Sequence, residues 1–405
     1  MTISAAVARL RPRWTSVAAA IIPGLVLTSS LLAQGSPADA VRVAPVPEAN
    51  RSAEQQSIAA QFASAGMANA VATYLHYPAL AQRLMAHERY LSTQSTLPPR
   101  HREVLALRTA WLTQSPYLWA HRAVAARHTG LSADEVTRVA RGADAPGWEA
   151  FEASLLRAAD ELHEDSFISD SSWAALTARY DTNQMIDVID TVGAFTMHAG
   201  LIRSLGVRIE DGMSERLPAG IPSITSTKRT NVRLLGRAAR IPPDSSRTGA
   251  NVFRTFVHNP PADRVRGAIN THVNSGSTLQ PRHREMLLMR IGVLCRSEYE
   301  YAAHARVGRK LGMTDADVAR ILTVPVTGAG DPLETALLRA TDELFEDDMV
   351  SNETWRSLAA VLDTRQLMDV LIAVGGYRST SMLINSAGVQ LDDNMADFRF
   401  PPALR

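Results

Sequence analysis

The chain contains two copies of one sequence plan, separated by a constant 182 residues. The motif PRHRE at 99–103 recurs at 281–285, and the motif DEL at 160–162 recurs at 342–344. Single positions keep the same spacing, as in the pairs Trp173 and Trp355, Asp187 and Asp369, Gly193 and Gly375, and Gly206 and Gly388. One arrangement of secondary structure is therefore used twice. Any residue considered for chemistry can be compared with its counterpart in the other copy.

The composition is that of an ordinary soluble globular protein. Of the 405 residues, 46% are apolar and 20% are charged, and the net charge is +1. Because 42 basic and 41 acidic residues are mixed along the chain, no basic surface for nucleic acid is predicted. The single cysteine, Cys295, excludes an intrachain disulfide and a cysteine pair for redox chemistry or zinc. The sequence has no His-Glu-x-x-His, phosphate-loop or dinucleotide motif, so we expect neither a metal nor a cofactor.

Residues 1–40 lie outside the repeat and have the layout of a secretory signal peptide. Arginines precede an apolar run at 17–33, and the small-residue site Ala38-Asp39-Ala40 follows it. This pattern predicts an exported protein, periplasmic or extracellular, with no membrane span left after processing. Two alternatives remain: the leader is retained as an anchor, or the start codon is misassigned and the protein is cytoplasmic.

The rest of the chain divides into four segments. Residues 41–57, rich in Pro, Ala and Glu, are predicted to be a tether, and residues 58–213 form the first repeat. Residues 214–246 contain four prolines among scattered Ser, Thr and Arg, which predicts an exposed linker between two similar domains. Residues 247–397 form the second repeat.

Within each repeat the local signals are helical. Apolar residues at 286–293 follow helical spacing, and no sustained alternation typical of a strand lies near them. Ser132 and Glu135 form a capping box, Asp331-Pro332 begins a helix, and Gly312 ends one. Both repeats are therefore predicted to be all-α domains.

The central string of the second repeat, from Arg290 to His304, resembles a helix pair of the carboxymuconolactone decarboxylase family, which includes the alkylhydroperoxidase-D-like proteins. The segments at 312–314 and 375–377 fit the same pattern. The resemblance covers both repeats and implies two tandem helical domains of this fold. It also implies a homo-oligomer, since single-domain relatives assemble into rings. It does not fix the activity, because the family contains decarboxylases, peroxidases and other proteins on one scaffold.

The resemblance implies a test of the peroxidase branch, whose two cysteines lie seven and four residues before a histidine on one helix. Counting back from His304, those positions hold Ser297 and Glu300. Thiol chemistry of this type is therefore not expected, and peroxidase activity is the least favoured function. Cys295 has no second cysteine to pair with and is expected to be a core residue.

The decarboxylase branch leaves the pair Glu300 and His304, which are four residues apart and share one face of a helix. A histidine beside a carboxylate suits proton transfer, because decarboxylation requires protonation of carbon as carbon dioxide leaves. Arg284 falls where this branch carries an arginine, so the resemblance implies that it binds a substrate carboxylate. The expected function is a cofactor-free lyase for a small carboxylated or lactone-like substrate. In it His304 is the acid/base and Glu300 its orienting partner.

The first repeat does not keep this pair. Leu118 and Arg122 stand where the second repeat has Glu300 and His304. His121 is displaced by one residue, which turns it by about 100° around a helix. We therefore expect a structural copy with a degenerate site, in which His121 is a packed or rim residue. The alternative is a non-catalytic binding or assembly protein: a pocket that encloses the second repeat's pair would favour the enzyme, and a solvent-facing pair would favour the alternative.

Other polar motifs give weaker signals. His163 and His198 occur only in the first repeat, so they are interpreted as buried, hydrogen-bonded histidines rather than as part of a shared mechanism. The acidic run at 342–348 contains Phe345 and has helical spacing, which predicts a solvated helix end rather than a metal site.

Overall fold

The computed structural model describes residues 41–223, 237–327 and 330–401. Over these ranges all regular secondary structure is helical, which confirms the predicted all-α fold. The predicted signal peptide at 1–40 lies outside the described residues, as does the middle of the predicted linker.

The described helices of the two copies follow the same order. The first copy contains α1 (Ala53–Gln61), α2 (Ala68–Tyr74), α3 (Pro78–Thr93), α4 (Pro99–Leu112), α5 (Pro116–His128), α6 (Ala133–Arg141), α7 (Ala150–Asp165), α8 (Asp170–Thr177) and α9 (Thr182–Leu205). The second copy contains α10 (Asn251–Phe256), α11 (Pro260–Thr271), a π turn (His272–Gly276), α12 (Pro281–Leu294), α13 (Glu298–Lys310), α14 (Asp315–Leu322), α15 (Pro332–Glu346), α16 (Asn352–Ala359) and α17 (Thr364–Ala387).

Local sequence signals set the ends of several helices. α6 begins with a capping box, in which the Ser132 hydroxyl accepts from the backbone of Glu135 and the Glu135 carboxylate accepts from the backbone of Ser132. α15 begins at Pro332, after the Asp331 side chain caps it. α13 ends two residues before Gly312, whose φ of +83° favours glycine. These ends were predicted from the sequence.

The two longest helices, α9 and α17, form the centre of the molecule. Each contains 24 residues, and almost all of them are buried. The two helices pack against each other through glycine: Gly193 faces the side chain of Ser379, and a Cβ on Gly375 would lie 3.0 Å from Cγ of Met197. One hydrophobic core therefore contains residues of both copies, rather than each copy having a core of its own.

One sequence position also contacts the other copy in both directions outside the central helices. The Tyr77 hydroxyl, in the first copy, donates to the Gly276 carbonyl at 2.9 Å. Its counterpart Asn259, in the second copy, donates to Asp187 at 3.0 Å. Because the same sequence position reaches across in both directions, the two copies are related like the subunits of a symmetric dimer.

Two of the described helices are long and apolar enough to be compared with membrane spans, and they are α9 and α17. Their most apolar windows are 100% and 94% buried inside the protein. Both are therefore accounted for as core helices.

The predicted tether at 41–57 is packed rather than free. Val43 and Val46 are buried in the core, and α1 begins inside this segment. Arg42 donates to the Ser204 carbonyl of the first copy and, at 2.7 Å, to the Val350 carbonyl of the second. The predicted linker is also docked at its end, where Ile241 is buried. Both predictions of exposed chain were wrong at these residues, because their burial depends on contacts with distant helices.

The interpretation of the acidic run at 342–348 as a solvated helix end holds for Glu346 and Asp347, which are exposed at the end of α15, and was wrong for Asp342 and Asp348. Asp342 accepts from Arg290 at 2.7 Å, and Asp348 accepts from both Arg378 at 2.6 Å and His163 at 2.8 Å. The bond from His163 crosses between the copies and is buried, so this histidine is a hydrogen-bonded core residue, as predicted. Asp342 and Asp348 therefore stabilise the fold through these bonds.

Candidate active site

The candidate site lies where α12, α13 and α17 meet. α12 and α13 are joined by residues 295–297, and Arg296 in this turn has a left-handed φ of 53°. Gly292 lets the two helices approach closely, because a Cβ at this position would lie 3.0 Å from the Tyr301 backbone nitrogen. The side chains of α12 and α13 can therefore meet directly.

The structure brings together the predicted pair Glu300 and His304. Oε2 of Glu300 lies 3.4 Å from Nε2 of His304, as the spacing of four residues on α13 indicates. The two residues are only 4% and 8% exposed. The pair is therefore enclosed by the protein and does not face solvent.

A second carboxylate, which the sequence analysis missed, makes the closer contact with this histidine. Nδ1 of His304 donates to Oε2 of Glu285 at 2.7 Å, and Glu285 is 1% exposed. Glu285 lies on α12 and belongs to the PRHRE motif that occurs in both copies. That repetition was the available signal, although it did not indicate which partner the carboxylate contacts.

Arg284 lies beside this carboxylate rather than pointing at open space. Its Nε and Nη2 atoms donate to Oε1 of Glu285 at 3.0 and 2.9 Å, and its side chain is 14% exposed. The site is thus a chain of alternating charges, in which an arginine, two glutamates and a histidine contact one another.

Tyr377, on α17, closes the site from the other side. Its ring meets His304 edge to face, with centroids 4.9 Å apart and planes at 78°. The Tyr377 hydroxyl accepts a 2.7 Å hydrogen bond from Asn274 in the π turn. The first copy continues α3 as a regular helix through the corresponding residues, so the π turn is specific to the second copy.

The two carboxylates control the protonation of the histidine. Burial by itself would lower the pKa of His304, but hydrogen bonds and charge from Glu285 and Glu300 outweigh it and raise this pKa to about 9. Burial would likewise raise the pKa of Glu285, yet His304 and Arg284 bring it below its ordinary value. At neutral pH His304 therefore keeps its proton and can donate it.

The first copy has different chemistry at the same place. Arg102 and Glu103 are kept, whereas Leu118 and Arg122 replace the Glu300 and His304 positions. His121 turns away and contacts Glu210 at 2.7 Å, in agreement with its prediction as a packed residue.

The sequence also led us to expect a buried, unreactive cysteine and no metal site. Cys295 is 1% exposed and packs in the core, as predicted. Among the residues that the structure describes, no group of three or more His, Cys, Asp or Glu side chains could hold a metal ion.

Two cavities occupy equivalent places in the two copies but lie apart from His304. The cavity of the second copy, about 290 Å³, lies between residues 296–299 and 384–391. That of the first copy, about 340 Å³, lies between residues 114–117 and 202–209. Neither is lined by the His304 group.

The all-α plan and its duplicated PRHRE helix define a tandem helical-bundle protein. The model of the carboxymuconolactone decarboxylase family matches the chain twice, over residues 78–161 and 260–343. The chain belongs to this family and contains two of its domains in tandem. Comparison with curated proteins and with solved structures gives no significant match.

Proposed function

We propose that the second copy is a cofactor-free acid/base enzyme, a lyase that acts on a small carboxylated or lactone-like substrate. The observation that carries the proposal is the buried His304, which has a carboxylate on each ring nitrogen and a pKa of about 9. A histidine that keeps its proton at neutral pH and is only 8% exposed is suited to protonate a bound substrate.

In the proposed reaction, the bond between carbon and the departing carboxylate breaks and its electron pair stays on carbon. His304 donates its proton to that carbon as carbon dioxide leaves. Glu285 holds the imidazole through Nδ1, which directs Nε2 toward Glu300 and the substrate. A proton taken up from water then returns to the neutral histidine by way of the Glu300 carboxylate, which restores the starting state. Arg284 stands at the more exposed end of the group and pairs with the substrate carboxylate.

The alternative is a binding or assembly protein that carries out no reaction. One observation favours it: Arg284 already makes two hydrogen bonds to Glu285, so a substrate carboxylate must share or displace that partner. The Glu300 and His304 pair does not face solvent, which argues against the alternative. Neither of the two cavities described above is lined by this pair, so the pocket expected of the enzyme is not among them. The decision between the two rests on turnover.

The test is turnover of a panel of small lactone acids by the purified protein, measured by release of carbon dioxide. His304→Ala is expected to lower kcat by roughly two orders of magnitude or more, the scale of a positioned acid/base. His121→Ala is the matched control, because this buried histidine of the first copy also contacts a glutamate, and it should leave kcat unchanged within about threefold. Equal losses in the two variants would contradict the assignment to the second copy.

Export and self-association are further proposals about the native protein. N-terminal sequencing of material from its source is expected to find a start close to Val41. An intact leader in the cytosolic fraction would contradict export. Light scattering is expected to give a mass above that of one chain, because single domains of this family form rings.

A further inference from the structure

The first copy contains a cluster of buried polar side chains at the place equivalent to the candidate active site. We call it the Arg122 cluster, and its members are Tyr74, His87, Glu88, Arg122 and His198. The second copy has Phe256, Ile269, Asn270, His304 and Thr380 at the corresponding positions. The first copy has therefore not simply lost polar groups: it has gained a different set, from α2, α3, α5 and α9.

Arg122 has fewer close partners than its guanidinium can bind. Its guanidinium lies 3.4 Å from Oε1 of Glu88 and 3.8 Å from Oε1 of Glu103, both longer than a charge-assisted hydrogen bond. Its Nε has no hydrogen-bond partner among the described residues, and Arg122 is only 7% exposed. The guanidinium also lies over the Phe195 ring at 5.3 Å. A buried arginine has five N–H donors, so this geometry leaves donors that require an acceptor.

His198 and Tyr74, close to Arg122, also lack hydrogen-bond partners. Both ring nitrogens of His198, which is 1% exposed, lack a partner within the described part of the chain. So does the hydroxyl of Tyr74, which is 0% exposed, and the two rings lie 6.4 Å apart. The prediction that His198 is buried is confirmed, whereas the prediction that it is hydrogen-bonded was wrong. Burial, with the nearby charges of His87 and Arg122, lowers the pKa of His198 to about 3, so its ring is neutral and offers one donor.

At the matching positions of the second copy most polar groups are bonded, although Oδ1 of Asn270, the counterpart of Glu88, also lacks a partner among the described residues. There the Glu285 carboxylate is bonded by both His304 and Arg284, and the Thr380 hydroxyl donates to the Gly376 carbonyl. In the first copy one oxygen of Glu103 has no partner among the described residues. Buried polar groups are normally bonded to protein, water or ligand. The concentration of unbonded donors around Arg122 thus points to a molecule that supplies acceptors.

We propose that the Arg122 cluster is a second ligand site, which binds a small carboxylate through Arg122, Tyr74 and His198. A carboxylate offers about four acceptor positions on two oxygens and matches the planar fork of an arginine. Arg102, 9% exposed, adds a second guanidinium beside Glu103. Burial raises the pKa of Glu88, so this side chain can take up a proton and leave the two arginines in excess when an anion enters.

Binding of acetate, with neutral acetamide as the matched control ligand, tests the proposal by isothermal titration calorimetry. The protein used is Arg284→Gln, so that acetate bound beside His304 does not contribute. We expect acetate but not acetamide to bind. In the further variant Arg122→Gln/Glu88→Gln, which removes one charge of each sign, the affinity for acetate should fall by about tenfold or more. Equal binding of both ligands, or acetate binding that does not depend on Arg122, would overturn the proposal.

A second variant keeps the test independent of any folding defect caused by changing Arg122. Tyr74→Phe/His198→Thr installs the residues that the second copy has at these positions, and it leaves all charges in place. It should weaken acetate binding by roughly threefold to tenfold, since two hydrogen bonds are lost. Unchanged affinity in this variant would also overturn the site. Loss of lyase activity in Arg284→Gln concerns only the proposed function of the second copy.

Discussion

The two copies place different residues against the same glutamate. Glu285 of the second copy bonds His304 at 2.7 Å, whereas Glu103 of the first copy has Arg122 at 3.8 Å. In both copies an arginine precedes the glutamate and contacts it. One backbone position thus carries a group that can gain and lose a proton in one copy and a permanent charge in the other. The fold therefore sets where the cationic side chain lies, and the residue type decides whether that side chain can lose its proton near neutral pH.

The largest change in stability is expected in the first copy, on substitution of Arg122. Arg122→Ala should destabilise the protein by about 3–5 kcal/mol, because buried Glu88 would lose its ion pair with Arg122 and buried Glu103 would keep only Arg102 as a counter-charge. Urea unfolding measures the change.

Arg127→Ala is the matched control for this change, since Arg127 lies on the same helix and its ion pair with Glu215 is largely exposed. It should cost at most about 1 kcal/mol. A similar loss of stability in the two variants would show that the ion pairs of Arg122 with the buried glutamates do not stabilise the protein.

The second prediction concerns the titrating side of the comparison. The pKa of His304 is raised to about 9 from an ordinary value of 6.5, so its contribution to stability is complete below pH 6.5 and is lost as the pH rises through 9. The shift corresponds to roughly 3 kcal/mol at most. Glu285→Gln removes the closer carboxylate and should abolish most of this dependence of the unfolding free energy on pH. Unfolding free energies at about pH 6 and pH 9.5, compared between the wild type and the variant, test it.

His272→Gln is the control here, because this histidine also bonds a buried carboxylate, that of Asp369, but lies outside the candidate site. It should leave the His304 titration unchanged when the imidazole protons are followed by NMR. If His304 still titrates near pH 9 in Glu285→Gln, then Glu300 rather than Glu285 sets its protonation.

The smallest change in stability is expected at the contact between α12 and α13. The second copy has Gly292 where the first has Ala110. Gly292→Ala would place a Cβ 3.0 Å from the Tyr301 nitrogen, so we expect α13 to shift by a few tenths of an ångström and the Glu285 to His304 bond to lengthen. We expect a cost of about 1–2 kcal/mol in stability. Turnover should also fall several-fold.

Gly267→Ala serves as the control for this substitution. This glycine lies in α11 with open space around its Cβ position. The change should be neutral or stabilise by up to about 1 kcal/mol through helix propensity. Equal outcomes at the two glycines would mean that the close approach of α12 and α13 does not matter.

Much of the fold could be predicted because its signals are local. Helical spacing, capping residues and the glycine after α13 fixed the helix type and several ends. The contact of Glu300 with His304 also followed from positions on one helix. Burial of Val43 and Val46 could not be predicted, since it depends on packing against residues far along the chain.

The missed site residues share one physical cause. Glu285 meets His304 only because α12 and α13 cross at a glycine, and Glu88 reaches Arg122 from α3. Spacing along one helix contains no information about such crossings. The first copy was interpreted as degenerate because only the α5 positions were compared, although its replacement residues come from several helices.

The paired glycines at the crossing of α9 and α17 have a consequence for how the halves diverge. Gly193 meets Ser379, whereas its counterpart Gly375 meets Met197. In an assembly of identical chains every substitution appears on both sides of the contact at once, so neighbours cannot differ in this way. Here each half is encoded separately within one gene. A mutation can therefore change one copy while the other copy keeps its original residue. Because both copies lie in one chain, such a difference between them is inherited.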